Sequence, residues 1–129
     1  VLDEHITDIR VLLRASGDHA MDVVNIKISR VGGLTKAVQM RDLCESLGIA
    51  MTLEDSWGGD VATATIAHLV GSTQPEFLFT STDFNSYNDG SVAADAPRRA
   101  AGRLRVPTGP GLGITIDEKA LGKPVVSIV

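Results

Sequence analysis

The 129-residue sequence contains a single cysteine, Cys44, and its formal net charge is only −4. One cysteine excludes an internal disulfide and is typical of a reducing compartment, so we expect a cytoplasmic protein. The mild acidity argues against nucleic-acid binding, because nucleic-acid-binding proteins carry basic patches. No apolar run approaches the roughly 20 residues that a membrane-spanning helix needs. What remains is an ordinary globular domain that can bury one core. Since the sequence begins at Val1, we expect a fragment of a longer protein.

Motifs for dinucleotides and for histidine-bound metals are also lacking. The pairs Gly32-Gly33 and Gly58-Gly59 do not fit the Gly-x-Gly-x-x-Gly fingerprint, and we interpret them as tight turns between strands and helices. The three histidines do not have the spacing of metal ligands, so we interpret them as structural.

Strand patterns recur about every 26 residues and end near Asp3, Ser29, Asp55 and Ser81. Helical patterns separate them, over residues 6–15, 34–47 and 60–71. We expect Asp60 to be the N-cap of the third helix and Gly48 to end the second. The alternation predicts βαβ units and a parallel sheet.

The repeat fades after Ser81. We expect a short helix within residues 92–101, turns over 106–113, a short strand over 114–117 and a final turn around Leu121 capped by Asp117. Four strands are about half of an eight-stranded barrel, which leaves two open edges. Either another polypeptide segment completes the barrel, which we favour, or the units form a small open α/β sheet.

Lys27 lies inside a strand pattern, where burying an amine is costly. Alternation along residues 22–29 places it on the same face as Asn25, opposite a face of valine and isoleucine side chains. The carboxyl ends of parallel strands share one side of a sheet. We therefore expect these polar residues around one mouth: Asp3, Glu4, Lys27, Glu54, Asp55, Thr80, Ser81, Thr82 and Asp83.

A carboxylate at a strand end can hold Mg²⁺, which takes oxygen ligands. A lysine beside such a cation has a lowered pKa and can act as a base. Together the groups permit abstraction of a proton α to a metal-bound carboxylate. The spacings allow this reaction without demanding it.

Three segments, Leu2-Asp3-Glu4, residues 25–37 (NIKISRVGGLTKA) and Pro110-Gly111-Leu112-Gly113, resemble the muconate-lactonizing-enzyme subgroup of the enolase superfamily. The stretch 53–60 (LEDSWGGD) is similar to members that act on proline derivatives, namely cis-3-hydroxy-L-proline dehydratases and 2-epimerases of hydroxyproline betaine or proline betaine. The resemblance implies the C-terminal half of a (β/α)₇β barrel over residues 1–105. It also implies that residues 106–129 return to pack on an α+β capping domain.

The resemblance also implies roles for individual residues. Lys27 matches the acid/base lysine of the sixth strand, and Asp3 matches a Mg²⁺ ligand. The expected substrate-binding residues are Glu54, Asp55, Trp57, Thr80 and Thr82. Betaine epimerases are expected to carry an aromatic side chain near the end of the eighth strand, where this sequence has hydroxyl residues. That departure favours a substrate with an ordinary ring nitrogen.

The implied reaction is Mg²⁺-dependent abstraction of the proton α to the carboxylate of a proline-type amino acid, with dehydration of cis-3-hydroxy-L-proline as the first choice. The alternatives are a racemase or 2-epimerase of proline or proline-betaine derivatives, and a non-catalytic barrel fragment or interaction subunit. The expected partners are a small carboxylate substrate and the N-terminal half of the same protein, within a homo-oligomer. That half would supply two further metal carboxylates and a second lysine.

Each residue also has a simpler interpretation. Lys27 could extend its amine to solvent, and Asp3 or Glu4 could cap the first helix. Glu54 and Asp55 could be loop acids near a helix N-terminus. Trp57 could be a packing residue.

Overall fold

The computed structural model describes residues 1–128 and forms an α/β unit around a parallel sheet. The strands are β1 (Val23–Lys27), β2 (Ala50–Glu54) and β3 (Leu78–Ser81), in the order β1-β2-β3. Leu2 forms a parallel bridge with Val24, so the chain start lies beside β1. The predicted parallel sheet is therefore confirmed.

The helices are α1 (Ile9–Gly17), α2 (Leu34–Leu47) and α3 (Asp60–Gly71). Short 3₁₀ turns cover Pro75–Phe77 and Asn85–Tyr87. The bounds of α2 agree with the prediction, and Gly48 ends it at φ 70°, a left-handed conformation that glycine adopts at low cost. Helix α1 begins three residues later than expected because the Asp8 side chain accepts hydrogen bonds from the backbone N–H groups of Arg10 and Val11.

The core lies between the sheet and the helices. Helix α2 packs on β1 and β2, and α3 packs on β2 and β3. The fully buried side chains of this core include Leu12, Val24, Ile26, Met40, Met51, Leu53, Ile66 and Leu69. Cys44 belongs to this core, as expected, and burial, together with the charge of Glu45, raises the pKa of its thiol to about 12. No helix within residues 1–128 is long and apolar enough to cross a membrane.

Asp60 is not the N-cap of α3, so that prediction was wrong. Gly59 takes the cap position, and Asp60 is the first helical residue, with a side chain that is only 2% exposed. Its carboxylate turns towards the segment after β3 and accepts hydrogen bonds from the backbone of Val92 and Ala93. The residue therefore anchors the long connection that follows the third strand.

The predicted helix within 92–101 and the predicted strand over 114–117 are both absent from the described chain. Asp60 binds the N–H groups at the start of the first segment, and Pro97 interrupts it. In the second, the N–H of Thr115 donates to the Asp95 carboxylate rather than to a neighbouring strand. The final turn is confirmed, since Asp117 accepts a hydrogen bond from the N–H of Lys119.

Residues 106–112 pack on this chain's own third helix. A Cβ placed on Gly71 would lie 2.6 Å from a Val106 methyl group, so the segment crosses α3 closely. His68 Nε2 lies 3.1 Å from the carbonyl oxygen of Leu112. Beyond this segment the chain exposes the apolar side chains Leu121, Val125, Val126 and Ile128. Val129, the last residue of the predicted return segment, lies outside the described residues.

Candidate functional site

The polar residues of the strand ends meet on one face of the sheet. Lys27 and Glu54 are the last residues of β1 and β2 and are direct register partners. Because side chains alternate along a strand, both lie on the face that also carries Asn25 and Thr52. The bridge at Leu2 brings the following acidic residues beside them. Strand pairing thus assembles groups from three separate stretches of sequence.

The amine of Lys27 ends among three carboxylates and does not extend to solvent. Its Nζ lies 3.0 Å from Asp3 Oδ2, 2.9 Å from Glu4 Oε1 and 3.6 Å from Glu54 Oε1. The residue is only 8% exposed. Burial alone would lower the pKa of Lys27, but the hydrogen bonds to Glu4 and Asp3 outweigh it and raise the pKa. The neighbours of Lys27 among the described residues are mainly acids, and the lowered pKa that is expected beside a bound cation stays a prediction.

Arg30 completes this cluster, although it was not among the residues expected at the mouth. Its Nη1 donates to Asp3 Oδ1 at 3.0 Å and to the Asp3 carbonyl at 3.2 Å, while Nη2 contacts Glu4. Burial would raise the pKa of Asp3, but hydrogen bonds from Arg30, Lys27 and Asn25 lower it. Neither Asp3 nor Glu4 caps α1, because Asp8 does so. Arg30 comes from the turn after β1, so an analysis of strand ends alone missed it.

The adjacent acids Glu54 and Asp55 have different surroundings. Glu54 faces the cluster, and its Oε1 accepts a hydrogen bond from Asn25 Nδ2 at 2.7 Å. Asp55 points to the loops: its Oδ1 accepts hydrogen bonds from the N–H groups of Ser29 and Ser56 and from the Ser29 hydroxyl. Asp55 therefore ties the turn after β1 to the turn after β2.

Thr80 and Thr82 are not in contact with the lysine cluster. Thr80 is the register partner of Thr52, so it shares the polar face but lies two strands away from Lys27 and is exposed. Thr82 follows the end of β3, is half-buried, and its hydroxyl donates to the carbonyl of Asp83 at 3.4 Å. The hydroxyl groups thus border the site at its open side.

Trp57 belongs to an aromatic cluster after the ends of β2 and β3. Its ring centroid lies 6.2 Å from that of Phe84 and 6.5 Å from that of Tyr87. Phe84 is buried, whereas Trp57 is 68% exposed, so most of the indole faces solvent rather than the core. An open cleft of about 370 Å³ lies beside it, lined also by Gly58, Asn88 and other loop residues.

The acidic groups of the cluster offer the oxygen ligands that Mg²⁺ prefers. Asp3 is the best placed, because its carboxylate is at a strand end and its pKa is lowered. Within residues 1–128, however, no set of three or more His, Cys, Asp or Glu side chains is arranged to hold a metal ion. The donor chemistry fits Mg²⁺, and the described residues alone form no complete ligand set.

Comparisons with known proteins agree with this architecture. The family model "Enolase C-terminal domain-like" matches residues 1–120. The cis-3-hydroxy-L-proline dehydratase of Roseibium aggregatum is 55% identical over 125 residues, which are 97% of this chain and 34% of that protein. The chain thus spans about a third of the length of this curated relative.

Solved structures show the same likeness in three dimensions. A mandelate racemase/muconate lactonizing enzyme from Roseovarius nubinhibens ISM superposes with a TM-score of 0.92 at 41% identity. An enolase-superfamily member from the same organism, complexed with magnesium, superposes with a TM-score of 0.92 at 35% identity. Both matches cover 97% of this chain and 34% of the other. Because the family model covers most of its length, the chain belongs to the enolase C-terminal domain-like family.

Proposed function

We propose that this chain is the C-terminal half of the barrel domain of an enolase-superfamily enzyme that removes the proton α to the carboxylate of a proline-type amino acid. The preferred reaction is dehydration of cis-3-hydroxy-L-proline. The observation that carries the proposal is the buried Lys27 amine at the mouth of a parallel sheet, in a chain 55% identical to a dehydratase of that substrate.

The domain arrangement is part of this proposal. Residues 1–105 would form half of a (β/α)₇β barrel. Its two edges, β3 and the segment around Leu2, would pair with strands of the N-terminal half. Residues 106–129 would form the return segment. Its exposed apolar side chains, Leu121, Val125, Val126 and Ile128, are the surface that a capping domain would cover.

Asp3 would be this chain's ligand for Mg²⁺, with the remaining ligands supplied by the N-terminal half. When bound, the ion would supply positive charge that stabilises the negative charge developing on the substrate carboxylate. This chain's own residues would take two further roles. Lys27 would accept the C2 proton, and Glu54 would accept a hydrogen bond from the ring nitrogen. An acid beside the C3 hydroxyl, a role open to the second lysine that the N-terminal half would supply, would donate the proton with which this hydroxyl leaves as water, and a C2=C3 double bond would form.

The roles of the outer residues follow from their positions. Trp57 would offer its exposed indole to the apolar side of the ring, and Thr80 and Thr82 would bind polar substituents at the open side. Asp55 would contribute to substrate binding indirectly. It would hold two loops in place, because its carboxylate accepts hydrogen bonds from Ser29 and Ser56.

A racemase or 2-epimerase of proline or proline-betaine derivatives is the second candidate. Its support is the TM-score of 0.92 against a mandelate racemase/muconate lactonizing enzyme. Such an enzyme would share the first step and then return a proton to the opposite face of C2. A homo-oligomeric state and a cytoplasmic location remain predictions from the sequence. A non-catalytic barrel fragment is the remaining alternative.

The test uses the full-length parent protein with Mg²⁺ in D₂O. The substrates are cis-3-hydroxy-L-proline, L-proline and proline betaine, and NMR follows the α-proton of each. Loss of water from the hydroxyproline, abolished by Lys27→Ala, is the expected result. Deuterium exchange with inversion on an unhydroxylated substrate would replace the dehydratase by the epimerase. If none of the three substrates reacts or exchanges its α-proton, the assignment of the fold stands and the proposed substrate class is wrong.

A further inference from the structure

Asn25 lies at the centre of the polar face, between the strands that carry the acids around Lys27. Its backbone N–H donates to the carbonyl of Leu2 at 2.9 Å, and its register partner in β2 is Thr52. The residue is only 5% exposed. A buried amide in this place has to satisfy two donors and an acceptor, so its contacts are informative.

The amide has one chemically sensible orientation. Nδ2 donates to Glu54 Oε1 at 2.7 Å, and Asn25 is also one of the groups that lower the pKa of Asp3. Carboxylate oxygens only accept hydrogen bonds, so the NH₂ end faces them and Oδ1 faces away. Within residues 1–128, Oδ1 is buried and accepts no hydrogen bond.

An unsatisfied buried acceptor costs stability, and a leucine of similar volume would avoid that cost. The fold nevertheless places an asparagine here, with its NH₂ group bound to the carboxylate of Glu54 on the neighbouring strand. The benefit of the residue must therefore come from its carboxylate neighbours rather than from packing.

We propose that Asn25 is a positioning residue that holds the carboxylates of Asp3 and Glu54 on either side of Lys27. Lys27 Nζ is 3.0 Å from Asp3 but 3.6 Å from Glu54 Oε1, because that oxygen is bound by Asn25 instead. Glu54 is thus kept from a close ion pair with Lys27, and its Oε2 is left for a substrate N–H. Asp3 is held in the orientation that a metal ligand needs. The inference rests on the proposed function for what Asp3 and Glu54 bind.

The experiment uses full-length protein and the variant Asn25→Leu, with Thr52→Val as a matched control on the same face. Mn²⁺ affinity, measured by electron paramagnetic resonance, reports on Asp3 without any turnover. We expect the leucine variant to bind Mn²⁺ about 10- to 100-fold more weakly, as is typical when a residue that orients a metal ligand is lost. Its Tm should equal or exceed that of the parent, because the unsatisfied acceptor is gone. The control should change neither value.

Kinetics with cis-3-hydroxy-L-proline test the contact with Glu54. Asn25→Leu should raise KM at least about tenfold in the parent but change it less than twofold in the Glu54→Gln background, because the two residues act through one contact. Unchanged Mn²⁺ affinity and KM in the leucine variant would overturn the inference. So would a large fall in Tm that accompanies the loss of affinity, since Asn25 would then serve folding. If the parent turns over no proline-type acid, the proposed function fails, while the Mn²⁺ and Tm measurements still decide the role of Asn25.

Discussion

Replacing Asp60 by asparagine should loosen the connection after β3 while leaving the sheet in place. Its Oδ2 accepts hydrogen bonds from the Ser91 hydroxyl at 2.7 Å and from the N–H groups of Val92 and Ala93 at 2.8 and 3.1 Å. Its Oδ1 accepts from Asn85 Nδ2 at 3.1 Å. One buried carboxylate therefore organises residues that are 25 to 33 positions away in the sequence.

The size of the effect can be worked out from these contacts. An asparagine oxygen in the place of Oδ2 would keep three hydrogen bonds, each weaker without the charge. Its NH₂ group would then oppose the NH₂ of Asn85 and the guanidinium of Arg98, which lies 3.1 Å from Oδ1. Losing a hydrogen bond to a charged acceptor costs about 1.5–3 kcal/mol, so we expect local opening to become easier by about 2–3 kcal/mol.

Hydrogen exchange measured by mass spectrometry on the full-length protein is the assay. The amides of Val92 and Ala93 should exchange about 30- to 150-fold faster in Asp60→Asn, since each 1.4 kcal/mol is a factor of ten. Asp95→Asn is the control, because its carboxylate holds the N–H of Thr115 and should release that amide alone. Exchange at 92 and 93 within threefold of the parent would refute the reasoning.

The same substitution should change the response to acid. Burial raises the pKa of Asp60, but its hydrogen bonds from Ser91, Val92, Asn85 and Ala93 lower it below the ordinary 3.8. A lowered folded-state pKa contributes stability that is present above about pH 4 and is lost as the pH falls through the folded value. Protection at 92 and 93 should therefore fall below pH 4 in the parent, whereas the asparagine variant should lack this step.

Three further predictions concern the base, the core and the tail. Lys27→Met should reduce α-proton exchange at least about 1,000-fold while changing the free energy of unfolding by only about 1–2 kcal/mol, because two of its carboxylate partners are partly exposed. NMR in D₂O and thermal unfolding measure the two effects, and retained exchange would contradict the assignment. The Cys44 thiol, with a pKa of about 12, should react with iodoacetamide at pH 8 about a thousandfold more slowly than free cysteine until the protein unfolds. Gly113→Ala should destabilise the tail by about 2–4 kcal/mol, because φ is +66° and the new Cβ would lie 2.7 Å from Pro107 Cβ. Gly102→Ala is the control for backbone strain alone, since φ is +74° and the new Cβ would meet open space. Proteolysis of the tail measures the difference between the two variants.

The sequence predicted the sheet well because alternation and strand spacing are local signals. Lys27 and Glu54 were expected around one mouth and are register partners at the ends of β1 and β2. What it could not predict depends on partners far along the chain. Aspartate is a residue type that often caps helices, but the carboxylate of Asp60 is bound by the segment after β3. Asp55 is adjacent to Glu54, yet turns to Ser29 because two loops meet at that point.

The irregular segments after β3 show more strongly that distant partners limit prediction from sequence. Residues 92–101 contain enough alanine to suggest a helix, but the carboxylate of Asp60 competes for their N–H groups. Residues 114–117 have the alternation of a strand, but the N–H of Thr115 donates its hydrogen bond to the carboxylate of Asp95. In both segments a side chain from elsewhere takes the place of a backbone partner, and no local pattern reveals such a partner.

The chain fixes one part of the proposed site by itself and leaves the other part open. Asn25 and Lys27 are at least nine-tenths buried on the polar face although this chain spans about a third of its relative's length. Their arrangement is therefore set by β1, β2 and the strand pairing at Leu2. Thr80 shares that face but is exposed on the strand with a free edge in the described chain. Substrate selection by the hydroxyl groups should thus depend on strands outside this chain, whereas the position of the Lys27 amine should depend on contacts that are already present here.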